Sequence, residues 1–224
     1  MNKELQIESV NLRALGESDL QLLCAFGNTM RNETSPGDPA RPVELLKADL
    51  DSTPELVNFP AFWIRDEAGL AATAVASWLE VDTNKHLIHI DLNVRKDCRQ
   101  RGFARELLSK CVEVSEAAGR PMITFSTNSN VVAGAKFTQA IGAEAKLESK
   151  TNHLVLTDVD MTMVDGWIAQ APQRSAGYTL VEIDGPYPLD LLDEIVDVNN
   201  VMNDAPRDDL DMEDWKWTRE QTLE

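Results

Sequence analysis

The sequence contains few cysteines and no long apolar run. Its three cysteines, Cys24, Cys98 and Cys111, form no CxxC pair and no zinc-like spacing with histidine, so neither a disulfide framework nor a metal site is indicated. The sequence contains no run of about 18 apolar residues that could span a bilayer. The first ten residues, MNKELQIESV, lack the apolar core of a secretory signal. We therefore expect a cytoplasmic protein with no metal and no membrane partner.

Positive charge is also scarce. Lysine and arginine number 21 against 38 aspartate and glutamate residues, which gives a formal net charge of −17. A surface of that sign repels nucleic acid, so we expect no nucleic-acid partner. The same field would favour a cationic ligand such as an amine, although acidity also serves solubility.

The most informative stretch runs from a strand through a basic turn into a helix. Apolar residues alternate with polar ones from residue 88 to 94, which predicts a strand with His89, Asp91 and Asn93 on one face. From Phe103 onward the apolar spacing changes to that of a helix running to about residue 118, closed by Gly119.

The turn between these elements, residues 99 to 104, has the features of an anion site. Gly102 and Ala104 are small, so a phosphate could approach the unpaired N–H groups at the start of the helix. Arg95, Lys96 and the arginines at 99 and 101 add positive charge nearby. An ordinary basic turn before a core helix is the alternative.

The pattern Arg99-x-x-Gly102-x-Ala104 after a strand resembles the acetyl-CoA motif of the GNAT N-acetyltransferase superfamily. The resemblance implies an α/β (α+β) fold with a mixed, mostly antiparallel central sheet flanked by helices. It also implies acetyl-CoA as co-substrate, with the diphosphate on main-chain N–H groups and the pantetheine arm along the central strand. The implied cofactor-binding residues are Leu92, Asn93, Val94, Arg99, Gln100, Arg101, Gly102, Phe103 and Ala104.

Other segments are predicted to complete a unit ending at about residue 159. The predicted strands cover residues 4–11, 61–66, 70–80, 122–126, 143–149 and 152–159. The first predicted helix is capped by Ser18 or Asp19 and runs to about Met30. Two further helices are predicted over 42–50 and 131–141. Residues in the loop after the first helix, Arg31, Asn32, Glu33 and Asp38, are candidate contacts of the acceptor or members of a polar loop.

The helix over 131–141 resembles the second motif of the same family. There the family usually has a tyrosine that acts as an acid, and Thr138 occupies that position here. Asn130 precedes the helix, and it is either a cofactor contact, as the resemblance implies, or the cap of the helix.

After residue 159 the predicted order of elements repeats the order at the start of the chain. A helix is predicted from Asp160 to just before Ala171, then a strand over 178–183 and a helix over 189–202. This order repeats that of the first strand and helix and resembles the opening of a second GNAT domain. We predict a GNAT domain over 1–159, a connecting helix over 160–176 and a partial second unit over 177–224. This partial unit is either the start of a missing C-terminal GNAT domain or an accessory piece that packs on the first domain or on another chain, as in a homodimer.

The chemistry implied is acetyl transfer to a primary amine of a small molecule. Asp91 is the leading candidate for the general base and His89 the second, while Glu80 is a further candidate; each could equally be a solvated residue on a sheet. Thr138 would stand where the acid is expected. The alternative function is a catalytically weak or inactive acyl-CoA-binding or interaction module of a tandem-GNAT protein.

Overall fold

The computed structural model describes residues 6–207 and 209–223. They divide into two compact units, of which the first holds the residues up to 144 together with 211–216, and the second holds 145–210 together with 217–223. In the described residues no helix combines the length and the apolar character needed to cross a membrane.

The first unit is built on a six-stranded sheet. Its strands are β1 (Ile7–Val10), β2 (Val57–Asn58), β3 (Ala61–Asp66), β4 (Gly69–Leu79), β5 (Leu87–Val94) and β6 (Met122–Thr124). They lie in the order β1, β3, β4, β5, β6, with β2 paired to β4, and only the β5–β6 pair is parallel. The predicted, mostly antiparallel sheet is confirmed.

The first unit also contains four helices: α1 (Glu17–Thr34), α2 (Val43–Asp51), α3 (Phe103–Ala117) and α4 (Val132–Ala140). On one face, Ile88 and Ile90 of β5 pack with Leu107 and Cys111 of α3, as their spacing predicts. On the other face, Phe26 of α1 joins a second apolar cluster. The sheet thus packs on α3 at one face and on α1 at the other.

The start of α1 differs from the prediction. The helix begins at Glu17 with Gly16 as its cap, not at Ser18 or Asp19. The Asp19 carboxylate instead accepts a hydrogen bond from Arg65 at 3.0 Å. The side chain that could have capped the helix is therefore engaged in an ion pair with a strand. The helix also continues past Met30 to Thr34, which brings its last turn to the site described below.

The second unit contains α5 (Met161–Arg174), α6 (Leu192–Val201) and α7 (Arg219–Leu223). The Asp160 side chain caps α5 by accepting from the N–H groups of Thr162 and Met163, as predicted. The predicted end before Ala171 is wrong, because the helix runs through Pro172, whose missing N–H removes only one bond close to the helix end.

Three predicted strands are wrong. Residues 143–149 and 152–159 form no strand, and neither do residues 178–183. Their apolar side chains, such as Leu154 and Leu180, are exposed. Alternation alone does not make a strand, because a strand also needs a ladder partner and a face to bury. The predicted second GNAT-like unit therefore retains its helix, α6, but not its opening strand, and the internal repeat stays a prediction.

Candidate active site

The site is built where β5 and β6 separate. The two parallel strands pair over only three positions, and the last pair joins His89 to Thr124. β5 then continues to Val94 with β4 on one side and, among the described residues, no partner strand on the other. Beyond His89 the edge of β5 that faces β6 is therefore open, and this opening is called the split below.

The hydrogen bonds to β4 decide which main-chain groups face the split. The Arg95 N–H donates to the Ala71 carbonyl at 2.9 Å, and Val94 lies opposite Ala72, so Val94 is in a pair that is not hydrogen bonded to β4. Along an antiparallel strand, the main-chain N–H and C=O groups of successive residues point to opposite sides. The N–H groups of Leu92 and Val94 therefore point away from β4 and into the split. The main chain of Asn93 points toward β4 instead. Two of the three predicted main-chain contacts thus face the opening.

The polar side chains of β5 lie on the face opposite α3. The Asn93 amide donates to the Asp91 carboxylate at 2.8 Å, and His89 Nδ1 lies 3.1 Å from the Thr124 hydroxyl. Asp91 is exposed, so its carboxylate can reach solvent or a ligand. Glu80 accepts from the indole of Trp78, which packs against the α3 core, so Glu80 belongs to the other side of the sheet.

The turn before α3 forms an anion-binding concavity. Gln100 has φ of 61° and Gly102 has φ of 89°, and such left-handed positions aim successive N–H groups toward one point. Within the described residues, the five N–H groups of residues 100–104 donate no hydrogen bond to the rest of the protein. Phe103 packs on the core and anchors the first turn, while Ala104 keeps the approach open. We call residues 100–104 the nest.

The positive charge at the nest is smaller than the sequence predicts. Arg95 donates to Asp66 and Asp97, which holds the pKa of both carboxyls below their usual range. Arg99 binds Glu33 and likewise lowers the pKa of that carboxyl through a hydrogen bond. Among the described residues, the basic side chains of the turn that carry no such partner are those of Lys96 and Arg101.

Residues 31–33, predicted to lie in a loop, belong to the last turns of α1. Both oxygens of Glu33 bind the Arg99 guanidinium, with 2.7 Å from Nη1 to Oε1, so this carboxylate already has a partner within the protein. Arg31 pairs with Asp38 at 3.1 Å. The sequence offered no signal for the Glu33 contact, since 66 residues separate the partners.

Asn130 does not cap α4. The helix is preceded by Val131 with no side-chain cap, and the Asn130 amide donates to the Thr34 carbonyl at 2.8 Å. Asn128 holds the turn by accepting from the Asn130 N–H at 2.9 Å. Asn130 thus ties the segment after β6 to the last turn of α1. Its predicted contact with the cofactor stays a prediction.

Thr138 turns its hydroxyl toward its own helix. The Oγ1 atom lies 3.1 Å from the Ala135 carbonyl and 3.3 Å from the Gly134 carbonyl, and it donates to them. The hydroxyl proton is thus shared with carbonyls of the same helix, and no contact of Thr138 supports a role as a proton donor.

Comparisons with known proteins agree on the fold. No protein-family model matches the sequence, and no curated protein matches it. An aminoglycoside acetyltransferase from an uncultured soil metagenomic sample superposes in complex with trehalose (TM-score 0.52) and in complex with sisomicin (TM-score 0.50). Both are 18% identical; they cover 69% and 67% of this chain, and 99% and 97% of their own.

A tandem GNAT protein from the clavulanic acid biosynthesis pathway also matches, with a TM-score of 0.50 and 16% identity over 62% of this chain and 43% of that one. The split strands, the nest at the start of α3 and these structural matches show that the chain has the GNAT fold. Identities this low establish the fold alone.

Proposed function

We propose that this protein is an acetyl-CoA-dependent N-acetyltransferase that moves an acetyl group directly from the CoA thioester to a primary amine of a small molecule. The observation that carries the proposal is the combination of the nest at the start of α3, whose N–H groups donate to no acceptor among the described residues, with the open edge of β5. The soil acetyltransferase of the same fold binds sisomicin, which supports an amine acceptor.

The residues at the site fit the co-substrate. The nest N–H groups would bind the diphosphate, and Lys96 and Arg101 would add charge beside it. A Cβ added at Gly102 would meet no atom within 4 Å, so the space over the nest is clear of protein. The N–H groups of Leu92 and Val94 would hold the pantetheine arm and the acetyl carbonyl.

The chemistry requires a neutral amine. An alkylamine has a pKa of about 10.4, so deprotonating it near neutral pH costs about 4–5 kcal/mol. Asp91, whose exposed carboxylate is oriented by Asn93, would take that proton directly or through water. The Val94 N–H, aimed into the split, would stabilise negative charge on the acetyl oxygen. His89 is held by Thr124 and would be the alternative base.

One observation favours a second function. Because the Thr138 hydroxyl is bound to its own helix, the described side chains include no evident acid for the departing thiolate at that position. A module that binds acyl-CoA with little or no turnover would have the same nest and the same split. Such a module would belong to a tandem-GNAT protein, as the match to a protein of that kind supports.

Binding and turnover separate these functions. Acetyl-CoA at 100 times its dissociation constant should stabilise the protein by about 2.7 kcal/mol. Thiol release from acetyl-CoA should then be measured across a panel of amines that includes aminoglycosides and polyamines. Amine-dependent release supports the transferase, and tight binding without release supports the module. No stabilisation by acetyl-CoA would overturn both.

A further inference from the structure

The last turn of α1 contacts both arms of the split. One arm is the segment from β5 to α3, where Arg99 binds Glu33 through both oxygens. The other arm is the segment from β6 to α4, where the Asn130 amide donates to the Thr34 carbonyl. Two consecutive residues of one helix thus bridge the opening in which the cofactor is proposed to lie.

The contact to the first arm has the geometry of a strong interaction. The Arg99 guanidinium uses its Nη1 and Nη2 atoms on Glu33 and its Nε atom on the Val94 carbonyl at 3.1 Å. The Arg99 and Glu33 side chains are only 21% and 22% exposed, so water competes less than at an open surface pair. Bidentate pairs of arginine with carboxylate fix orientation as well as supplying energy.

The anchored residue, Arg99, lies next to the strained backbone of the nest. Arg99 directly precedes Gln100, a residue other than glycine with φ of 61°, and lies three residues before Gly102. A left-handed position at glutamine is strained and persists only where its surroundings hold it. With the Arg99 side chain fixed at three points, the nest keeps its shape without a ligand.

We infer that Glu33 and Thr34 form a clamp across the split that pre-organises the nest for the cofactor, with Glu33 as a positioning residue that acts through Arg99. The inference rests on the proposed function for the identity of the ligand. A pre-organised site loses less conformational freedom on binding, so the clamp contributes to affinity without touching the ligand.

The test compares Glu33→Gln with Glu8→Gln. Glu8 also pairs with an arginine, Arg65, at 2.8 Å, but it lies in β1 at the far edge of the sheet. The substitution is therefore the same, and each variant loses a contact to an arginine, although Glu8 bonds through one oxygen and Glu33 through both. Asn130→Ala removes the second contact of the clamp and serves if Glu33→Gln does not fold.

We expect Glu33→Gln to raise the Kd for CoA, measured by calorimetry, by about fivefold or more, which is the scale of ordinary coupling between sites. Asn130→Ala should raise it as well, and Glu8→Gln should not. In the protein without ligand, Glu33→Gln and Asn130→Ala should also speed hydrogen exchange at the amides of Arg105 and Glu106, which donate to the Gly102 carbonyl. Because Asn130 is itself a predicted cofactor contact, the exchange rate separates loss of the clamp from loss of that contact. Comparable unfolding midpoints of the two glutamate variants would show that general stability is not the cause.

Equal Kd values and equal exchange in Glu33→Gln and Glu8→Gln would overturn the clamp. If Glu33→Gln does not fold, an unchanged Kd in Asn130→Ala would overturn it. A wild-type protein that fails to bind CoA would refute the proposed function, while the exchange comparison would still decide whether Glu33 holds the nest. The two failures are therefore distinguishable.

Discussion

Asn84 and Glu213 exchange hydrogen bonds in both directions although 129 positions separate them. The Glu213 carboxylate accepts from the Asn84 N–H at 2.8 Å, the Glu213 N–H donates to the Asn84 side chain at 2.8 Å, and the Asn84 amide donates to the Glu213 carbonyl at 3.1 Å. Residues 211–216 thereby belong to the first unit, beside the turn that leads into β5.

Replacing Asn84 by glycine should lower the free energy of unfolding by about 1–3 kcal/mol, because the buried Asn84 side chain and its two hydrogen bonds to the main chain of Glu213 are lost. Asn84 has φ of 55°, which glycine adopts freely, so the variant removes hydrogen bonds without adding strain. Urea denaturation measures the change. Asn152→Gly, at an exposed position outside helices and strands, should change it little. Equal effects at both positions would show that the hydrogen bonds from Asn84 to Glu213 do not stabilise the fold.

Gly102→Ala should weaken binding of acetyl-CoA by about tenfold or more, because a methyl group would stand over the nest and φ of 89° disfavours alanine. Gly119→Ala is the matched control. Gly119 also has positive φ, 65°, and also has free space around it, but it follows the end of α3. Both variants should lose about 1–2 kcal/mol of stability, and only the first should lose affinity by calorimetry. Loss of affinity in both would refute the nest.

Asp91→Asn should lower kcat by about 10²–10⁴-fold and leave the Kd for CoA nearly unchanged, since the carboxylate is proposed to move a proton and not to bind the cofactor. Steady-state kinetics with the best amine of the panel measure kcat. His89→Gln is the companion variant at the second candidate base. If it loses more activity than Asp91→Asn, the base has been assigned to the wrong residue.

Modification of thiols should be confined to Cys24. Cys98 and Cys111 are buried, and burial raises the pKa of both thiols, to about 12 for Cys111. Both therefore remain protonated and shielded near neutral pH. Mass spectrometry after brief alkylation at pH 7.5 should find label at Cys24 alone, whereas the denatured chain should take up three. Label at Cys98 in the native protein would show that its turn opens.

The effect of Glu33→Gln should depend on pH in one direction. Because Arg99 lowers the pKa of Glu33 in the folded protein, the contact is fully present above the usual glutamate range and is lost as pH falls through the depressed pKa. The difference in unfolding free energy between wild type and variant should thus be constant from about pH 6 to 8 and shrink below about pH 4. Acid titration followed by circular dichroism measures it. A difference that grows on acidification would contradict the pairing.

Local pattern predicted the elements that bury a face in the first unit. The alternation before Val94 and the helical spacing after Phe103 gave β5 and α3, since both patterns follow from the geometry of one element packed on one core. The same reasoning was wrong for residues 178–183, whose alternation finds no partner strand. Predicting that outcome requires knowing what lies beside the segment.

The sequence by itself determined where an anion can bind, because small residues at the start of a helix and a glycine able to adopt positive φ are local properties of residues 99–104. Only the tertiary structure decided how that turn is held and charged. Glu33 forms an ion pair with Arg99, and Asp66 forms one with Arg95. The partners are 66 and 29 positions apart, and no spacing rule predicts such contacts. Ion pairs depend on distances in space, and chain separation does not encode those distances.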